Sequence, residues 1–202
     1  YAPTFFGGNP NVYDLNEMSS DEIIVPNRAT DWADDITWEQ MWKHTWSADH
    51  VFVGDGWQFI YGGIARVNSI IDAVNQINPK PSNINAILAE IKTVRAFYHY
   101  LALDLFGNVP VADSNFTDLS KLATKSRLEV FSFVESELKN NLPFLTKDIN
   151  PRTYGRATLW FAQALLAKLY SNTQVYTGMH RCSECIAACA AIIPPNQCSL
   201  EP

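Results

Sequence analysis

Glu90-Ile91-Lys92-Thr93-Val94-Arg95-Ala96-Phe97-Tyr98-His99-Tyr100-Leu101-Ala102-Leu103-Asp104-Leu105-Phe106-Gly107-Asn108-Val109-Pro110 is the stretch that decides the fold. Ile91, Val94, Tyr98, Leu101 and Leu105 continue a stripe begun at Ile87, spaced by three and four residues, which is the period of one helix face. Gly107 stands where a helix ends in a left-handed residue. Val109-Pro110 forbids continuation, because proline has no N–H and its ring clashes with the preceding turn. Lys80-Pro81-Ser82-Asn83 breaks the chain on the other side. The spacing predicts a helix from about 83 to 106.

Working outward, the same pattern recurs. Trp57, Ile60, Tyr61, Ile64, Val67, Asn68, Ile71 and Val74 predict a helix over 55–77. Gly62-Gly63 lies inside it; two glycines weaken a helix by about 1 kcal/mol each, so a close backbone contact with a neighbouring helix is expected to offset them. Residues 108–125 read as polar connection. Ser126-Arg127-Leu128-Glu129 has the form of a capping box, in which Ser accepts from the third amide and Glu reaches back. The helix it starts runs through Val130, Phe131, Val134 and Leu138 and should stop at Asn140-Asn141, ahead of Pro143. After a break at Asn150-Pro151-Arg152, a helix is expected from Ala157 to about Tyr176, ended by Gly178, and a last one from His180 to Ile193, stopped by Pro194-Pro195. The short connection at Gly178 makes these two antiparallel neighbours. Ala162, Ala164 and Ala167, then Ala187, Ala188, Ala190 and Ala191, suit close packing of helix pairs. The fold class is therefore all-α, with degenerate tetratricopeptide-like helical-pair repeats. Residues 1–54 form a loop-rich segment with one or two short helices, Ser20 or Asp21 capping a turn near Glu22, and residues 55–193 form the helical repeats of one domain spanning 1–202.

With 47% apolar and 18% charged residues, the chain can bury a sizeable core. Its net charge of -6 speaks against nucleic acid, which demands a surplus of Lys and Arg. Apolar runs fall far short of the roughly 20 residues needed to cross a bilayer. Tyr1-Ala2-Pro3-Thr4-Phe5-Phe6 shows neither initiator Met nor leader, so a mature or truncated piece is expected. Cys182, Cys185 and Cys189 sit at core-like helical spacing, which favours buried thiols or one structural disulfide, with Cys198 a candidate partner in an oxidising compartment. A metal site is the lesser alternative for the Cys182-x-x-Cys185 start.

The tryptophans are unevenly placed. Trp32, Trp38, Trp42, Trp46 and Trp57 fall in one short stretch, and Trp160 lies apart. Trp57 and Trp160 fall on apolar helix faces and read as core. Trp42 and Trp46, four apart, share a face if the segment is helical and then pack inward; otherwise they are free to bind. Trp32 and Trp38 lie among Asp31, Asp34, Asp35 and Thr37, a setting that predicts exposure. Aromatic planes stack on the C–H faces of sugar rings while carboxylates and guanidinium groups take the hydroxyls. The candidate ligand-binding residues are Trp32, Trp38, Trp46, Arg28, Asp31 and Trp42. The three aspartates lack the glycine and late glutamate of a calcium loop, with Ala33 and Ile36 in the way. Gly54-x-Gly56 lacks a third glycine and a preceding strand, and no hydrolase or nucleotide-loop motif is present. Arg66, Arg95 and Arg156, beside or within apolar helices, are expected to bond loop carbonyls or helix C-termini.

Several segments in order resemble the SusD/RagB family. They are Ser20-Asp21-Glu22-Ile23-Ile24-Val25-Pro26, Asp31-Trp32, His44-Thr45-Trp46, the Tyr61-Gly62-Gly63-Ile64-Ala65-Arg66-Val67-Asn68 helix, Glu90 to Tyr98, Leu105 to Pro110, Gly155-Arg156-Ala157-Thr158, and Ala164 to Tyr170. The resemblance covers about residue 13 to 200 and stops short of the family's C-terminal part. It implies a non-enzymatic, outward-facing outer-membrane lipoprotein of Bacteroidota, anchored by a lipid upstream of this chain. Such a protein delivers oligosaccharide to a SusC-type TonB-dependent transporter and uses no cofactor or metal. Alternatives are a peptide- or other nutrient-binding relative, a helical-repeat scaffold that binds protein with its tryptophans buried, and a carbohydrate-active enzyme.

Overall fold

The computed structural model describes residues 12–26, 36–116 and 118–193. Helices are α1 (Val12–Glu17), α2 (Thr37–Trp42), α3 (Val51–Asn75), α4 (Ile84–Phe106), α5 (Arg127–Asn141), α6 (Leu159–Ser171), α7 (Thr173–Thr177) and α8 (Cys182–Ile192). Between α4 and α5 the supposed polar connection contains a small antiparallel pair, β1 (Val109–Pro110) with β2 (Thr124–Lys125), in register Val109 to Lys125 and Pro110 to Thr124. The protein is otherwise helical among the described residues, and no described helix is long and apolar enough to cross a membrane. It divides into two compact units, residues 1–62 and 63–202, with the boundary inside α3.

In the first unit, α1 buries Val12 and Leu15. A Cβ on Gly56 would lie 2.5 Å from the Leu15 side chain, so this α3 position is kept bare by a close approach. The glycines at 54 and 56 thus belong to a helix. That helix starts at Val51, earlier than the apolar stripe indicates, because His50 caps it: its Nδ1 accepts from Phe52 N at 3.3 Å while Nε2 donates to the Thr37 carbonyl at 3.1 Å. Ser20 closes the turn after α1, accepting from Glu22 N at 3.2 Å.

In the second unit, α4 packs on α5, α5 on α6 and α7, and α6 on α8. Phe97, Leu101, Leu103, Val130, Phe131, Val134, Leu138, Leu166 and Leu169 supply the core. Gly63 admits a neighbour as expected, although the neighbour is the Tyr98 ring, 2.5 Å from where a Cβ would stand; Gly62 meets nothing within 4 Å. Gly107 ends α4 at φ 76°, and the Ser126–Glu129 capping box forms. The helix expected over 157–176 breaks at Asn172, where the Thr173 hydroxyl bonds the Tyr170 carbonyl at 2.7 Å and competes with the helical ladder. The helix containing the cysteines buries Ala188 instead of the thiols: Cys182 is exposed, Cys185 and Cys189 are half-buried, and all three are free. Cys198 lies outside the described residues.

The second unit is locked at one polar point. Arg95 is buried and grips Glu137 side-on, Nε to Oε2 at 3.0 Å and Nη2 to Oε1 at 2.5 Å. Its Nη1 reaches Asn68 Oδ1 at 2.9 Å and the Asp113 carbonyl. Asn68 in turn donates to the carbonyls of Ala112 and Ser114 at 3.1 and 2.7 Å. His99 completes the lock by donating from Nδ1 to the Arg95 carbonyl and accepting the Ala112 N–H on Nε2 at 3.1 Å. Two consequences are measurable. Glu137→Ala leaves a buried guanidinium unpaired and should cost about 3–5 kcal/mol in denaturant unfolding, whereas the double variant Arg95→Met/Glu137→Leu should recover most of that loss. Burial, aided by the Arg95 charge, pushes the His99 pKa from 6.5 down to about 4. The ring is therefore neutral in both states at pH 7. As pH falls from 6.5 toward 4, only the unfolded chain takes up the proton, and stability should drop by about 1.4 kcal/mol per pH unit, with no further loss below that window. His99→Gln should flatten that slope.

Candidate functional site

The tryptophan segment sits in the first unit, and its geometry follows from how α2 ends. Lys43 closes the helix and His44 adopts a left-handed conformation at φ 56°. His44 N then bonds the Met41 carbonyl at 3.2 Å and Thr45 N the Gln40 carbonyl at 3.0 Å. This is a Schellman ending with histidine in the place usually held by glycine. The imidazole earns its position there: Nε2 bonds the Ser19 carbonyl at 2.8 Å, tying the end of α2 to the turn after α1. Beyond the turn, Trp46 lies against the His44 ring at 5.2 Å and is 37% exposed.

Trp42 and Trp46 therefore do not share a helix face, because the helix stops between them. Trp42 is half-buried, with the Lys43 ammonium 5.2 Å from its ring centre, and its indole N–H is enclosed with no acceptor among the described residues. Trp38 corrects an expectation: it is only 6% exposed and meets Phe52 edge to face at 4.7 Å, so the first unit uses it as core. Its acidic sequence neighbours misled because Trp38 lies in the first turn of a short helix, whose inward face it shares with Met41. Trp57 is half-buried rather than fully so and stacks on Tyr61 at 4.5 Å. Arg28, Asp31 and Trp32 lie outside the described residues, as do Asp34 and Asp35. No three His, Cys, Asp or Glu side chains among the described residues are placed to hold a metal ion.

Trp160 also departs from its core assignment. It is half-buried at the start of α6, its indole N–H donates to the Lys147 carbonyl at 2.9 Å, and it lines a cavity of about 640 Å³ with Asp148, Ile149, Asn150, Tyr154 and Arg156. The sequence did carry a signal for this: Tyr154 stands between Pro151 and Gly155 in a connecting loop, off any helix stripe. The arginines are structural in more varied ways than expected. Arg95 does reach a loop carbonyl, but Arg156 pairs with Glu90 through two hydrogen bonds of 3.0 and 2.5 Å, and Arg66 is exposed.

Residues 8–171 match the family model described as SusD-like, starch-binding and associating with the outer membrane. Over 171 residues the chain is 26% identical to the starch-binding protein SusD of Bacteroides thetaiotaomicron, covering 82% of this chain and 28% of that protein. A SusD-like protein of Formosa agariphila, P25, is 26% identical over 86% of this chain and 34% of its own length. The chain thus spans about a third or less of these curated relatives. Among solved structures, a laminarin-binding SusD-like protein superposes with a TM-score of 0.82 at 22% identity, over 98% of this chain and 42% of that one. Surface glycan-binding protein A from Bacteroides uniformis superposes with a TM-score of 0.80 at 19% identity, over 98% and 44%.

Histidine at the α2 ending gives a sharp expectation. His44→Gly and His44→Ala both lose the bond to Ser19, but only alanine keeps a Cβ in the left-handed region, so the glycine variant should be more stable by about 1 kcal/mol. Chemical denaturation of the two variants measures the difference, which is opposite in sign to the effect of the same pair inside a helix.

Proposed function

The chain belongs to the SusD-like family, and on that premise we propose that it is a non-catalytic carbohydrate-binding protein of the outer membrane, part of a machine that hands oligosaccharides to a SusC-type TonB-dependent transporter. It faces outward, held by a lipid anchor upstream of these residues. The helix pairs of the second unit are read as degenerate tetratricopeptide-type repeats.

The observation that carries this reading is the exposed Trp46 ring, set beside His44 on a turn that is fixed by backbone bonds and by the Ser19 carbonyl. A ring held in place before the ligand arrives loses little freedom on binding. Its face suits the C–H surface of a pyranose, and the His44 ring beside it offers a polar edge to hydroxyls. Trp46 and Trp42 are the described residues assigned to the ligand, with Trp32, Arg28 and Asp31 extending the same segment. Trp38 supports the segment from beneath. The family description and the relatives named above direct the choice of ligands toward starch-type and laminarin-type glucans.

Titration of intrinsic tryptophan fluorescence with maltoheptaose and with laminarin oligosaccharides should give a saturable change, and Trp46→Ala should weaken it about tenfold, the scale of one lost aromatic contact. A response to peptides with none to any oligosaccharide would sink the proposal and favour a peptide-binding relative. Release of reducing sugar by the pure protein would sink its non-catalytic part.

A further inference from the structure

The loop joining α5 to α6, residues 146–158, is far more ordered by its own bonds than a surface connection needs to be. Thr146 Oγ1 accepts from Asp148 N at 3.1 Å, Thr153 Oγ1 accepts from Asn150 N at 3.0 Å, and Asn150 Oδ1 accepts from Arg152 N at 2.9 Å. Leu159 N donates back to the Thr146 carbonyl at 2.9 Å and closes the loop at its base. Arg156 ties it to α4 through Glu90. An exposed ion pair of this kind adds little stability; its two-pronged geometry fixes orientation instead.

This fixed loop holds side chains in places where they gain nothing for folding. Tyr154 is 92% exposed and Ile149 is 85% exposed. Together with Trp160, whose indole is set by its bond to the Lys147 carbonyl, they give the 640 Å³ cavity an apolar and aromatic lining. That volume lies within the range of small-ligand sites. Its rim is polar and uncommitted: among the described residues the Asp148 carboxylate, the Asn150 side-chain NH2 and the Tyr154 hydroxyl, all lining the cavity, have no hydrogen-bond partner. A free acceptor and a free donor thus line the same cavity as two aromatic rings.

We infer that this cavity is a second saccharide subsite, centred on Trp160 and Tyr154, which takes a short run of neutral pyranose units. A sugar ring matches it because one ring presents both a C–H face for the aromatics and hydroxyls that donate to the Asp148 carboxylate and accept from the Asn150 amide. A purely apolar ligand would desolvate the Asp148 carboxylate without a partner, at a cost. An anionic ligand would face the same carboxylate. The inference rests on the proposed glycan reading, yet it concerns a different unit of the chain from Trp46.

The lone tryptophan of the second unit makes the two sites separable. In the full 202-residue chain labelled with 5-fluorotryptophan, each of the 6 indoles gives its own fluorine resonance, assigned by single Trp→Phe substitution. Addition of maltoheptaose or laminarin oligosaccharides should shift the Trp160 resonance saturably. Tyr154→Ala, at an exposed loop position that folding does not use, should weaken that response about tenfold and leave the Trp46 response unchanged. A Trp160 resonance that stays still while that of Trp46 moves would overturn the second subsite alone. Silence of all resonances with every oligosaccharide would overturn the glycan reading itself. A Trp160 shift with an apolar peptide and not with sugar would assign the cavity to another ligand class and also overturn the inference.

Discussion

A guanidinium taken out of water constrains everything around it, because the charge must be answered on nearly every donor it carries. Arg95 has five N–H donors, and its partners come from three separate parts of the chain: Glu137 on α5, Asn68 on α3 and the Asp113 carbonyl in the connection that follows β1. The Phe133 ring, 5.9 Å from the guanidinium carbon, covers it on one side. None of these partners can move far without stranding a buried charge. The result is a fixed turn after α4, with Val109 and Ala112 sealed against the helix and His99 holding the Ala112 amide from below. Apolar packing supplies most of the stability of such a unit, while the polar lock selects one arrangement of the helices.

The glutamates of the second unit divide their work in a way that explains a spacing. Glu90 and Arg95 lie on the same helix but do not pair; Glu90 reaches across to Arg156 and Arg95 to Glu137. One helix thereby anchors a surface loop at its N-terminal end and the interior network further along. Glu135 gathers Lys139, Tyr170 and Arg181 on the outer side of α5, so that α5 is tied to both α6 and the start of α8.

The helices were legible in the sequence to within a few residues wherever a stripe, a capping box or a left-handed glycine marked them, as at Ser126–Glu129 and Gly107. The misses have physical causes. His50 and His44 do the capping at two helix ends where sequence rules look for Ser, Asp or Gly. Thr173 breaks a helix by bonding its own backbone. Long-range pairing of Arg95 and Arg156 is invisible to a search for partners four residues away. For the aromatic residues, sequence setting was a poor guide to exposure: Trp38, amid acidic residues, is buried, whereas Trp160, on an apolar stripe, opens into a cavity. Burial depends on where an element lies in the packed unit, and a short helix such as α2 carries too few residues to declare its inward face.

Both aromatic positions share one construction: a ring set by a hydrogen bond or stacking partner, on a turn or loop whose own backbone bonds hold it still. That is what recognition of a weakly distinguished ligand such as a sugar requires, since little affinity remains if the protein must also be ordered. A crystal structure of the chain grown with maltoheptaose or a laminarin oligosaccharide tests this most directly. The account predicts a pyranose ring stacked on the Trp46 indole with little movement of the turn that carries it. Clear density for the protein with no sugar against Trp46 at saturating oligosaccharide, or sugar bound only where no aromatic ring meets it, would contradict the account.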